Sequence, residues 1–157
     1  MTNKSWPKSL LTRRQSLAMG AGALALAAAP GATRAQTLDK AMAEIKAFTG
    51  GAEPARGRVA LDLPEIAENG NAVPIVVSVE SPMSTEDFVE KLIVVTSANP
   101  LTRALAASFT PASGRAELTT RIRLAATQEV FAVARMHGGQ FFMDSRVVKV
   151  TIGGCGG

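Results

Sequence analysis

The sequence has 157 residues, a formal net charge of +4 from 17 basic and 13 acidic residues, one histidine, one cysteine and no tyrosine. The length fits one domain with a short appendage. One histidine and one cysteine are too few ligands for a structural zinc site or a haem attachment motif, so neither a metal nor a cofactor is expected.

The appendage comes first. Arg13 and Arg14 precede an apolar run from Leu17 to Ala29, and small residues follow up to Ala35. A charged start, a short apolar stretch and a small-residue cleavage site form an export signal. The arginine pair marks the bacterial route that moves folded proteins, with the periplasm as destination. The run is too short to span a bilayer, so no membrane attachment is expected after cleavage. The expected organisation is a cleaved signal over 1–35, a folded domain over 36–152 and a glycine-rich arm over 153–157. The signal carries Lys4, Lys8, Arg13, Arg14 and Arg34 and no acid. Removing these five leaves 12 basic against 13 acidic residues. The mature chain is therefore near neutral, so the basic total is no argument for nucleic acid and none is expected as a partner. Trp6 also leaves with the signal, so no indole or phenol remains to stack on sugars or bases.

Within the domain, Leu38, Met42, Ile45 and Phe48 recur at helical spacing. They predict a helix over Thr37–Thr49, with Thr37 as N-cap and Gly50-Gly51 as the stop. The period then shortens. Strands are predicted at Val59–Leu61, Val73–Val79, Phe88–Thr96, Ala104–Thr110, Ala116–Ala125, Val130–Met136 and Phe141–Ile152. Breakers punctuate them at Pro64, Asn69–Asn71, Ser81-Pro82, Asn99-Pro100 and Pro111–Gly114, and His137–Gln140 reads as a tight hairpin turn. A short helix followed by about seven strands predicts a mainly β chain, an antiparallel immunoglobulin-like β-sandwich. Pro74 inside a strand predicts an edge or a bulge there.

Few residues carry chemistry. His137 falls in a turn and reads as solvated. Arg121, Arg123 and Arg135 alternate along strands and read as a solvated face. Asp62, Glu65, Glu86 and Asp87 have no spacing that commits them to acid–base work. No catalytic residue is assigned. The remaining feature is Gly153-Gly154-Cys155-Gly156-Gly157. Glycine visits most backbone conformations and adds no side-chain bulk. Three extended residues carry a sulfur roughly 10 Å beyond the last strand. A thiol that visits the buried active site of another protein needs this reach and this thin profile. Thiolate sulfur is nucleophilic and passes reversibly through disulfide and persulfide states. Cys155 is thus the expected attachment point, with Gly153, Gly154, Gly156 and Gly157 as a swinging arm.

The stretch Val150–Gly157 behind a twin-arginine signal resembles the SoxY family, sulfur carriers of the bacterial thiosulfate-oxidising Sox system. The resemblance extends through Arg121–Gln128 and the last hairpin. It implies a non-enzymatic subunit that holds thiosulfate-derived sulfur covalently on Cys155. It implies pairing with SoxZ as heterodimer or heterotetramer. It also implies transient contact with a c-type cytochrome that couples thiosulfate, a hydrolase that releases sulfate and a sulfur dehydrogenase. Two other readings compete. A ubiquitin-like carrier would bear sulfur on the Gly157 carboxyl, but the export signal and the lack of a central helix oppose it. An immunoglobulin-like structural subunit would use Cys155 as an intermolecular disulfide tether, though four glycines make ordering such a contact costly.

Overall fold

The computed structural model describes residues 30–152. Arg13, Arg14, Cys155 and the arm glycines 153, 154, 156 and 157 lie outside the described residues, as does the signal up to residue 29. One helix, α1 (Pro30–Thr49), precedes eight strands. These are β1 (Val59–Asp62), β2 (Ile66–Asn69), β3 (Val73–Val79), β4 (Val89–Thr96), β5 (Arg103–Ser108), β6 (Ala116–Ile122), β7 (Gln128–Met136) and β8 (Phe141–Ile152). They form a three-stranded sheet in the order β1-β3-β6 and a five-stranded sheet in the order β2-β8-β7-β4-β5.

Strand periodicity explains how the layers meet. Successive side chains point to opposite faces, so β4 and β7 each present two apolar faces. Leu92, Val94, Val130, Ala132 and Ala134 join Val73, Ile75 and Val77 of β3 in one buried cluster between the sheets. Ile93, Val95, Phe131 and Val133 point the other way and are buried under Ala41 and Ile45 of α1. Each fully buried Val, Leu or Ile contributes about 1.5–3 kcal/mol relative to exposure. The result is an immunoglobulin-like sandwich with a helix laid on the outer face of its larger sheet.

Two sequence expectations change, and a third holds in a local form. The helix starts at Pro30, seven residues before Thr37, so Thr37 lies inside it and is not its cap. Ala32 to Ala35 contain no breaker, and proline is tolerated in a first turn because its missing N–H needs no partner there. The expected cleavage point after Ala35 falls within this helix. Leu38 and Met42 are partly exposed, and Ala41 with Ile45 makes the buried contact instead. Second, β2 was not predicted. It buries only Ala67 and pairs in parallel with β8, so the sandwich is not wholly antiparallel. Third, Pro74 sits in β3, the central strand of its sheet. However, β1 pairs with β3 only from Val76 to Val79, so at Pro74 only β6 lies alongside. The strand is locally an edge, where a missing N–H is tolerated. The hairpin forms as predicted, with Met136 N–H donating to the Gln140 carbonyl at 2.8 Å and Gly139 at φ +78°.

Candidate functional site

The last described residue, Ile152, is the root of the segment 153–157 in sequence, and its position is fixed by two neighbours. The first eight residues of β8 pair with β7, up to Val148 opposite Gln128. Beyond that point β7 has ended, and β2 takes over as partner, with Ala67 opposite Val150 and Asn69 opposite Ile152. Lys149 N–H donates to the Glu65 carbonyl at 2.9 Å, and Gly70 N–H donates to the Ile152 carbonyl at 2.8 Å. The Thr127 hydroxyl accepts from Val150 N–H at 3.0 Å and the Thr151 hydroxyl donates to the Glu68 carbonyl at 3.0 Å. The backbone is thus clamped to its last described peptide. Val150 is half-buried, whereas Ile152 is 68% exposed, so the strand leaves the sandwich here.

The end of the sandwich around this root is built from three loops, 70–72, 97–102 and 123–127. Leu124 N–H donates to the Gly70 carbonyl at 2.7 Å, so Gly70 links the root to the third loop through its own peptide. Loops 97–102 and 123–127 are bracketed by side chains. Asn99 Nδ2 donates to the Arg123 carbonyl at 2.7 Å, while Asn99 Oδ1 accepts from Ala125 N–H at 2.9 Å and from Gln128 Nε2 at 2.8 Å. Gln128 is buried, and its Oε1 accepts from Ala98 N–H at 2.8 Å. A buried amide with both ends bonded, as in Gln128, holds loops rigidly, because breaking one bond leaves an unsatisfied partner. Between the loops lies a cleft of about 230 Å³, walled by Asn99, Pro100, Leu101, Arg103, Ala104, Arg123 and Ala125. Sequence reasoning took Asn99-Pro100 as a turn and missed this bracket. The only cue was an amide, Gln128, at the start of an apolar strand.

Other predicted residues lie elsewhere. His137 is at the opposite end of the β7–β8 hairpin, and β8 alone spans roughly 35 Å at 3.3 Å per residue. It is not merely solvated. Its ring stacks on Phe88 with centroids 4.5 Å apart, and Nδ1 sits 2.9 Å from Glu90 Oε1. Glu90 also meets Arg135 at 3.2 Å. Arg121 and Arg123 are exposed at the end of β6 and just beyond it, as the alternating pattern predicts. Asp87 pairs with Arg58 at 2.6 Å, a structural link. Among the described residues no group of three metal-ligating side chains occurs, and no helix is long and apolar enough to cross a membrane.

The fold and the root together define a β-sandwich whose final strand, β8, directly precedes the segment that contains Cys155. The model of the family described as sulfur oxidation protein SoxY matches residues 45–155, a span that includes Cys155. Among solved structures, the chain is similar to the sulfur carrier protein SoxY from Chlorobium limicola f thiosulfatophilum. Identity is 30%, coverage is 75% of this chain and 99% of that one, and the TM-score is 0.58. It also resembles a superoxide reductase (neelaredoxin) from Ignicoccus hospitalis at 14% identity, covering 60% of this chain and 80% of that one, with a TM-score of 0.54. That second likeness concerns the fold alone. No curated protein sequence matches the chain. The chain belongs to the SoxY family of sulfur carrier proteins.

Proposed function

We propose that this protein is a periplasmic carrier that holds thiosulfate-derived sulfur on Cys155 and presents it to partner enzymes. The observation that carries this reading is the family match over 45–155, which reaches the single cysteine. The clamped root at Ile152 supports it, because the segment that must enter other proteins starts from a fixed point and adds no side chain except that of Cys155.

The chemistry balances with one thiol. A c-type cytochrome enzyme removes one electron pair as the Cys155 thiolate joins the outer sulfur of thiosulfate, giving Cys–S–S–SO3⁻. A hydrolase adds water to the sulfonate sulfur, releasing sulfate and two protons and leaving the persulfide Cys–S–S⁻. A sulfur dehydrogenase withdraws three electron pairs as three waters add, giving Cys–S–SO3⁻ and six protons. A second hydrolysis releases sulfate and restores the thiolate. The carrier supplies the attachment atom, and the partners supply every oxidation and hydrolysis. Arg13 and Arg14 direct export, and SoxZ, as the companion subunit, travels out with the folded chain.

Cys155→Ser tests the proposal. Sulfate formation from thiosulfate in a reconstituted system falls to background, while co-purification with the companion subunit is unchanged. Loss of the companion together with Cys155 would instead identify a disulfide tether.

A further inference from the structure

We infer that Asn69-Gly70 is a covalent modification site, at which the Gly70 nitrogen attacks the Asn69 side chain and expels its amide as ammonia, and that the seating of Ile152 at the end of β8 controls the reaction. The inference concerns the root of the Cys155 segment and stands whether or not that cysteine carries sulfur.

The chemistry starts in the sequence. The Cγ of an asparagine is open to attack by the backbone nitrogen of the next residue, and glycine obstructs that attack least because it has no Cβ. The chain has four asparagines, which precede Lys4, Gly70, Ala72 and Pro100. A side chain crowds the attack at Lys4 and Ala72, and the proline nitrogen has no proton to give up. Asn69-Gly70 is therefore the reactive pair. The Gly70 nitrogen loses its proton to solvent and bonds to Cγ, and the Cγ–Nδ2 bond breaks with release of ammonia. Water then opens the cyclic imide at either carbonyl. One product is aspartate. The other is isoaspartate, in which the side-chain carbons have become part of the backbone. Both products gain a carboxylate.

The fold holds this pair unreactive. Asn69 ends β2, extended opposite Ile152. Attack requires its backbone to turn out of the strand conformation, so that the Gly70 nitrogen meets Cγ. Gly70 is buried, and both of its polar groups are tied. Its N–H donates to the Ile152 carbonyl at 2.8 Å, and its carbonyl accepts from Leu124 N–H at 2.7 Å. The Asn69 side chain is engaged as well, with Oδ1 accepting from Asn71 N–H at 2.9 Å. Asn69 itself is exposed, so water and base reach its amide. What is withheld is the nitrogen nucleophile, and the group that withholds it is the Ile152 carbonyl.

Opening this latch is a local event. The last residues of β8 lie beyond the end of β7 and are held by β2 and by the hydroxyls of Thr127 and Thr151. A strand end with one neighbour opens at a lower free energy than the interior of a sheet. Any event that draws Ile152 from its seat frees the Gly70 nitrogen. The product then acts on the same contacts. Isoaspartate lengthens the backbone by one carbon at the position opposite Ile152, and so moves Gly70 out of register with both Ile152 and Leu124. One reaction loosens the root and unlinks it from loop 123–127. Ammonia is lost to solvent and the amide does not re-form, so the modified fraction records how often the root has opened.

The test uses the purified mature chain together with any companion subunit that accompanies it. Samples are incubated at neutral pH, folded and in urea, and conversion of Asn69 is followed by peptide mapping, with isoaspartate detected by protein-isoaspartate methyltransferase. The unfolded chain converts at least about tenfold faster than the folded one, as expected when reaction waits on opening. Thr151→Val and Thr127→Val each keep the side-chain volume and remove one hydrogen bond at the root. Each speeds conversion in the folded chain about fivefold. In the converted protein, hydrogen exchange is faster at the Gly70 and Leu124 amides and unchanged in β4 and β7. Equal rates in the folded and unfolded chains, or no conversion in either, overturn the inference, as does an unchanged rate in both threonine variants. Unchanged exchange at Gly70 and Leu124 after conversion overturns the loosening of the root.

Discussion

Ile45→Ala measures how strongly α1 is anchored to the sandwich. Ile45 is 5% exposed and packs in one cluster with Ile93, Val95, Phe131 and Val133. The substitution removes three carbons, worth about 0.8 kcal/mol each in transfer free energy, or about 2.4 kcal/mol together. A partly collapsed cavity raises the expected loss to about 3 kcal/mol, low in the usual range because a surface helix can settle inward. With a urea slope of about 2 kcal/mol per molar, the unfolding midpoint falls by about 1.5 M. The control is Met42→Ala on the same helix, 38% exposed, which shifts stability by no more than about 0.5 kcal/mol. Urea titrations of both variants of the mature chain, followed by circular dichroism, make the comparison. Equal midpoints for the two variants would refute the assignment of Ala41 and Ile45, rather than Leu38 and Met42, as the buried seam.

Thr127→Val removes the hydroxyl that accepts from Val150 N–H, while keeping the side-chain volume. The expected loss is about 1 kcal/mol, read as roughly fivefold faster hydrogen exchange at the Val150 amide. Unchanged exchange there would show that β2 alone holds the arm root. Deleting Gly153 and Gly154 shortens the arm by about 7 Å. Sulfur transfer to the partner enzymes then drops by at least about tenfold, while alkylation of Cys155 by iodoacetamide stays within about twofold of the parent. Equal losses in both assays would mean that the deletion buries the thiol and does not merely curtail its reach.

Legibility in the sequence followed how local the determining contacts are. β3 was predicted at its observed bounds, Val73–Val79, because alternating burial is written into seven consecutive residues. β4 and β7 were found as apolar runs, since both of their faces are covered. β2 was not found. It buries one residue of four, and its partner β8 lies some eighty positions later in the chain. The helix start was misplaced because a plausible cap, Thr37, interrupts a stretch that tolerates helix from Pro30 onward. The thiol at Cys155 stands out in the sequence, because it is the single cysteine and has two glycines on each side. The surroundings of its root did not. Thr127, Gly70, Asn99 and Gln128 act through bonds spanning tens of residues, and each alone resembles an ordinary turn or strand residue. His137 likewise read as solvated, because its partners Phe88 and Glu90 come from β4 and the residue before it.

The central claim is that Cys155 carries sulfur. The most direct measurement is the intact mass of the protein recovered from thiosulfate-fed cells, before and after reductant, with the adduct mapped by peptide. The account predicts reductant-labile additions of sulfur and sulfur-oxyanion mass confined to the peptide containing Cys155. A free thiol under every feeding condition, or a disulfide to one defined protein chain, would contradict it.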